Sequence, residues 1–151
     1  MEQSSTNQKR NQILYVIATV FIVLLLDQWL KVYIKTSFTL GESRMMISDW
    51  FELHFTENPG MAFGLTFGGK WGKIILTLFR IIASGVIIFY IRELIREKSS
   101  TLMIILVSLI LAGAVGNIVD SLFYGQLFGA SSYHTVAQFM PENGGYAPLF
   151  M

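Results

Sequence analysis

The stretch LAGAVGNIVD, residues 111–120, ends an apolar segment with an amide and a carboxylate. A charged group at the edge of the hydrocarbon layer is costly, so an ionisable residue there is by default a candidate functional residue. Asn117 and Asp120 are three residues apart and share a helix face. Ala112 and Gly116 are small and four apart, which lets a neighbouring helix come close. The stretch predicts a packed polar site, unless Asp120 only marks where the helix leaves the membrane.

The composition indicates a membrane protein. Of the 151 residues, 53% are hydrophobic and only 14% are charged, whereas soluble domains carry about 25% charged residues. The net charge of +1 argues against a nucleic-acid partner, which would require a basic patch. The absence of cysteine excludes a disulfide, a thiol nucleophile and a thiolate metal site. His54 and His134 are too far apart in the sequence to form a metal-binding motif, and we predict neither a metal nor a cofactor.

Three apolar segments are long enough to cross a bilayer as helices, which takes about 20 residues. We predict a single membrane domain with a frayed cytoplasmic tail (1–12), three spans (13–34, 74–91 and 101–121), a cytoplasmic loop (92–100) and two periplasmic regions (35–73 and 122–151). A slight excess of Lys and Arg on the N-terminal side favours this orientation. A cleaved signal peptide is the rival interpretation of the first segment, but no small-residue cleavage site follows it, and Asp27 and Lys31 interrupt its end.

Ionisable residues interrupt the outer half of each span. Asp27 and Lys31 are four apart and share a helix face; they either neutralise each other, with the lysine reaching the interface, or build a polar pocket in the bundle. Arg80 either reaches lipid phosphates or faces the bundle. By helical rise, Asp27 and Arg80 each lie about 10 Å from the outer end of their helix, and Asp120 closes the third span on the same side. This convergence favours a functional site.

The region between the first two spans predicts a β-hairpin. The stretches WFELHFT (50–56) and MAFGLTF (61–67) both alternate between apolar and other residues. Residues 57–60, ENPG, place Pro and Gly where a type II turn prefers them. The hairpin has an apolar face, and we expect it to lie on the bilayer surface. His54 is expected to be an exposed strand residue rather than a ligand.

Three motifs together resemble lipoprotein signal peptidase, the signal peptidase II family of intramembrane aspartic proteases. They are DQWLK (27–31), FTENPGMAFG (55–64) and GAVGNIVD (113–120), and the resemblance covers roughly residues 13–125. Residues 131–151 also resemble a longer loop found in a subset of that family. The resemblance implies a membrane all-α fold with four transmembrane helices, of which three are present here, and a small periplasmic β-hairpin. Both termini are then expected to be cytoplasmic.

The resemblance also implies a reaction and a set of site residues. Members cleave the signal peptide from a prolipoprotein before a diacylglyceryl-modified cysteine, in the bacterial cytoplasmic (inner) membrane, and cyclic peptides are expected to inhibit them. Asp120 matches one of the two catalytic aspartates. The residues that match positions around the site are Asp27, Lys31, Asn58, Gly60 and Asn117.

Two departures from the family pattern bear on activity. Ser121 stands where members commonly have an arginine, which puts one substrate or inhibitor contact in doubt. The second catalytic aspartate belongs to an Asn-x-Ala-Asp motif at the start of a fourth helix, and the 151 residues hold no such motif. We therefore expect a C-terminally truncated and inactive member. The alternative is a small non-catalytic membrane protein, such as a transporter subunit or an assembly factor.

Overall fold

The computed structural model describes residues 2–57 and 69–146. Its elements are helix α1 (Glu2–Ser37), strands β1 (Ser43–Ile47) and β2 (Phe51–His54), helices α2 (Gly69–Arg96) and α3 (Thr101–Val119), a π-helical turn (Asp120–Tyr124) and the short helix α4 (Gly125–Leu127). Three helical stretches are long and apolar enough to cross a membrane, namely Thr6–Ser37, Ile74–Arg96 and Thr101–Leu127. The predicted class, membrane all-α with three spans and a small antiparallel sheet, is confirmed.

The first of two compact units holds the described residues of Met1–Gln28 and Thr77–Ile118. Its core is aliphatic, and α1 contributes Val16 and Val20 at its margin. The buried core residues of α2 and α3 are Ile91, Leu94, Ile104, Val107 and Leu111. Gln12 is also buried, and its Nε2 donates to the carbonyl of Ser99 at 3.0 Å. This bond ties the start of α1 to the loop between α2 and α3.

The outward faces of these helices are apolar as well. Phe21 on α1, Phe89 on α2 and Ile110 on α3 each keep 61–62% of their surface exposed. A helix that is hydrophobic all round is typical of a membrane span. Lipid tails cover such side chains without loss, and the backbone hydrogen bonds are satisfied within each helix.

The second unit holds the described residues of Trp29–Leu76 and Val119–Met151. Strands β1 and β2 pair antiparallel, with Ser43 opposite His54 and a bulge between Met45 and Ile47. The buried apolar residues of this unit are Phe38, Phe55, Phe128 and Ala137. Further along the chain, an antiparallel bridge joins Phe128 to Phe139. His54 is exposed, as expected, and its Nδ1 lies 2.7 Å from Ser43 Oγ.

The structure corrects two predicted boundaries. Residues 2–12, predicted as a frayed tail, are helical because α1 begins at Glu2; once a helix is nucleated, each added residue gains a hydrogen bond. Residues 92–96, predicted as part of a loop, continue α2 to Arg96. Leu94 is buried in the core there, and Glu93 pairs with Arg96 one turn on at 2.5 Å.

The described partner of β2 is a strand that was not predicted. Phe51–His54 is a strand as predicted, but its described partner is Ser43–Ile47. That segment, SRMMI, has no regular alternation of polar and apolar residues, so its pattern does not signal a strand. The predicted second strand, 61–67, and residues 58–60 of the predicted turn lie outside the described part of the chain.

Candidate active site

Asp120 is held by a lysine from the other end of the chain. It begins the π-helical turn that follows α3, and such turns are frequent at functional sites. The Nζ of Lys31 donates to Asp120 Oδ2 at 2.6 Å. The two side chains keep 31% and 25% of their surface exposed, so an external molecule can reach the carboxylate. The structure thus joins two of the predicted site residues, which are 89 positions apart.

Asp27 lies against α3 within the first unit. Its Oδ2 accepts a hydrogen bond from Gln28 Nε2 at 3.0 Å. A Cβ built on Gly116 would lie only 2.6 Å from the same oxygen, so glycine is what leaves room for the carboxylate. Ala112, one turn earlier, is buried. The small residues of α3 therefore allow a close neighbour, as predicted, and that neighbour is α1.

Arg80 faces the bundle, which decides between its two predicted orientations. Its Nη1 donates to the backbone carbonyl of Asn117 at 3.4 Å. Asn117 lies near the end of α3, three residues before the π-helical turn begins. Asp27 and Arg80 therefore approach α3 at neighbouring residues, 116 and 117.

A second lysine of α1, Lys35, is buried in a polar and aromatic cluster. It is only 5% exposed. Its ammonium group donates to Glu57 Oε1 and to Ser131 Oγ at 3.2 Å, and the Ser131 hydroxyl donates to the same Glu57 oxygen at 2.6 Å. The rings of Phe128 and Tyr146 face the ammonium at 5.6 and 4.8 Å. We call these five residues the Lys35 cluster.

The Lys35 cluster satisfies the charge that it buries. An ammonium group taken out of water is unfavourable unless it is paired and hydrogen-bonded, and aromatic faces add cation–π attraction. Partial burial of the Tyr146 phenol raises its pKa, and the negative charges of Glu57 and Asp120 raise it further. Tyr146 is therefore within electrostatic reach of both carboxylates. No group of three or more Asp, Glu or His side chains suited to a metal ion occurs in the described part of the chain.

Comparison with known proteins decides the family. Residues 19–140 match the family described as signal peptidase (SPase) II. The chain belongs to the signal peptidase II family. The matched range contains all three motifs that carry the resemblance, and it includes Asp27, Lys31 and Asp120. No solved structure matches the chain.

Relatives named lipoprotein signal peptidase occur in several bacteria. The chain is 43% identical to that of Porphyromonas gingivalis over 89% of its own length and 58% of the relative. It is 42% identical to that of Amoebophilus asiaticus over 74% of its own length and 49% of the relative. For Syntrophus aciditrophicus the identity is 39%, over 79% of this chain and 73% of the relative. The chain thus spans about half the length of the first two relatives.

The structure describes four of the residues predicted for the site of this signal peptidase II member, namely Asp27, Lys31, Asn117 and Asp120. Asn58 and Gly60 lie outside the described residues. The contacts of Lys35 were not predicted, although its place four residues after Lys31 puts both lysines on one face of α1. Ser131 was not predicted either; it contacts Glu57 across 74 residues and carries no motif that could have revealed it.

Proposed function

We propose that the protein is an intramembrane aspartic endopeptidase that removes signal peptides from prolipoproteins before the diacylglyceryl-modified cysteine. Membership of the signal peptidase II family supports this reaction class. The observation that carries the proposal is the partly exposed Asp120 carboxylate, held by Lys31 in the π-helical turn that follows α3. We place the protein in the bacterial cytoplasmic (inner) membrane as a multi-pass protein, with its site on the periplasmic side.

Asp120 supplies one carboxylate of the catalytic pair. Peptide hydrolysis by two carboxylates needs an ionised partner to activate water and a protonated partner to assist the scissile carbonyl. Two adjacent carboxylates provide both forms because they share a proton. The ammonium group of Lys31, 2.6 Å away, fixes the orientation of the Asp120 carboxylate and compensates its charge. No metal or cofactor takes part in this scheme.

In this proposal, the residues that match the family's other site positions bind and orient the substrate. Asp27, Lys31 and Asn117 match family motif positions and lie within the membrane spans Thr6–Ser37 and Thr101–Leu127. Asn58 and Gly60 complete the set by their positions in the sequence. A substrate anchored by its diacylglyceryl group presents the scissile bond near the membrane surface.

The first test is binding by the purified chain in detergent. We expect a fluorescent, diacylglyceryl-modified prolipoprotein peptide to bind, a cyclic-peptide inhibitor of the family to displace it, and Asp27→Ala to weaken it. Arg96→Met is the matched control, because that side chain is 71% exposed and belongs to no proposed site. Binding unchanged by Asp27→Ala would instead support a purely structural role for these charges, as in a non-catalytic membrane protein.

We further propose that the 151 residues by themselves bind this peptide without cleaving it. The family motifs match one catalytic aspartate here, Asp120, and hydrolysis by an aspartic pair needs two carboxylates. The measurement is mass-spectrometric detection of the released signal peptide after prolonged incubation. Cleavage that Asp120→Asn abolishes would show that another carboxylate of this chain completes the pair.

A further inference from the structure

Two lysines of α1 each hold an acid from a distant part of the chain. Lys31 pairs with Asp120, and Lys35 pairs with Glu57. The lysines are four residues apart, so they lie on the same face of α1 and about 6 Å apart along its axis by helical rise. One face of α1 therefore holds both acids. Asp120 directly follows α3, and Glu57 directly precedes Asn58 in the sequence.

The two ion pairs differ in how far their lysines are exposed to the surroundings. The side chains of Lys31 and Asp120 are 31% and 25% exposed, whereas that of Lys35 is 6% exposed. A lysine near the end of a span commonly extends its ammonium group to the interface, yet Lys35 directs it inward onto Glu57, Ser131 and two aromatic rings. Lys35 is therefore committed to internal contacts, and it does not approach an external molecule.

The Lys35 cluster also fixes the segment that follows α4. Ser131 and Phe128 contact Lys35 directly, and the next residue, Ser132, accepts a backbone hydrogen bond from Leu40 at 2.9 Å. One ammonium group thus joins three stretches of chain: the end of α1, Glu57 (three residues after strand β2), and the segment from Phe128 to Tyr146. The influence of both Glu57 and Asp120 on Tyr146 agrees with this arrangement.

We propose that Lys35 is a positioning residue for the peptidase site: it holds Glu57, the residue directly before Asn58-Pro59-Gly60, and it lies one helical turn along α1 from Lys31, which holds Asp120. This inference rests on the proposed function, because it gives Lys35 a purpose in substrate binding. Lys35 acts through Glu57 and Ser131 and does not touch the substrate itself. A positive charge of the right length is what the position requires.

The test measures affinity for the fluorescent, diacylglyceryl-modified prolipoprotein peptide at a temperature well below the unfolding midpoint of every variant. We expect Lys35→Met to weaken binding by between roughly tenfold and a hundredfold, the scale on which a small misplacement of a binding group is felt. Lys35→Arg, which keeps the charge, restores most of the affinity. Arg96→Met, which removes an exposed cation of the first unit, leaves it unchanged.

A double variant separates positioning from folding. Lys35→Met leaves Glu57 as an unpaired carboxylate, which destabilises the unit; Lys35→Met combined with Glu57→Gln removes both charges and restores stability. We expect the double variant to regain its unfolding midpoint and still to bind weakly, because the cross-link is gone. Affinity that recovers together with stability would overturn the proposal and leave Lys35 with a structural role only.

Hydrogen exchange distinguishes failure of this inference from failure of the proposed function. If the unsubstituted chain does not bind the peptide, the proposed function is wrong, and the substrate role of Lys35 is wrong with it. If the unsubstituted chain binds, we expect Lys35→Met to accelerate amide exchange at residues 55–57 and 129–132 while exchange in α2 is unchanged. Binding and exchange both insensitive to Lys35→Met would overturn the positioning role alone.

Discussion

Gly116→Ala tests the close approach of Asp27 to α3. A Cβ at position 116 would lie 2.6 Å from Asp27 Oδ2, 3.4 Å from its Cγ and 3.6 Å from Leu24 Cδ2. Heavy atoms cannot stay this close, so the carboxylate must move away from the position in which Gln28 donates to it at 3.0 Å. We expect this variant to be less stable than its matched control.

The control is Gly113→Ala, one turn earlier on the same helix. Among the described residues, nothing lies within 4 Å of a Cβ at position 113. Replacing a helical glycine by alanine gains about 0.5–1 kcal/mol, and this gain is the same at both positions. Overpacking a close contact costs about 1–3 kcal/mol. The difference between the two variants isolates that steric cost, and it corresponds to roughly 2–12 °C in the unfolding midpoint of a domain of this size.

The assay is thermal unfolding of both variants in the same detergent. We expect Gly113→Ala to unfold at or slightly above the temperature of the unsubstituted chain and Gly116→Ala to unfold below Gly113→Ala by the stated difference. In addition, Asp27→Ala combined with Gly116→Ala should regain the part of the unfolding midpoint that the steric clash had cost, because the clashing Asp27 atoms are gone. Equal midpoints for the two glycine variants would refute the placement of Asp27 against Gly116.

Two further predictions concern charged and titrating groups. Lys31→Gln should lower the free energy of unfolding by only about 1 kcal/mol, because its pair with Asp120 is partly exposed and such pairs contribute little; a loss several times larger in a denaturant titration would contradict this. The raised pKa of Tyr146 means that the folded state holds the phenol proton more tightly than the unfolded state does. The stability that this proton contributes is complete below pH 10.0, the ordinary pKa. It is lost as the pH rises through the folded-state pKa. Tyr146→Phe should therefore lose less stability than the unsubstituted chain between about pH 9 and about pH 11, and parallel losses would refute the stated environment of this residue.

The spans could be predicted from the sequence because the physical rule behind them is local. About 20 consecutive apolar residues suffice to cross a bilayer, and the three helices follow that rule. The polar residues before Ile13 were harder to place, because their composition allows either a helix or a frayed tail. The helix that they form continues from an apolar segment that is already helical.

The partners of the charged residues could not be predicted, because they depend on tertiary packing. The spacing of Asp27 and Lys31 shows that they share a helix face, but the acid that Lys31 holds is 89 residues away. Likewise, Lys35 meets Ser131 across 96 residues, and no local pattern signals that contact. Motif resemblance predicts that Asp120 is a site residue, but spacing along the chain does not reveal that Lys31 pairs with it.

The strand that pairs with β2 illustrates the same limit. Strand propensity depends strongly on the neighbours against which a strand packs, and SRMMI carries no alternation to reveal them. In the structure, Phe55 is the link: its N–H donates to the carbonyl of Glu42, and its own carbonyl accepts from Gly41, both at 2.9 Å. These backbone contacts fix the two strands together just beyond their ends.

The most direct test of the proposed peptidase is processing of a lipoprotein in living cells. The host's own lipoprotein signal peptidase is depleted, and the intact gene that carries these residues is expressed with Asp120 or with Asp120→Asn. We expect the unsubstituted protein to restore the mature lipoprotein and Asp120→Asn to accumulate the diacylglyceryl-modified precursor at equal expression. Normal processing by Asp120→Asn would contradict the catalytic role of Asp120.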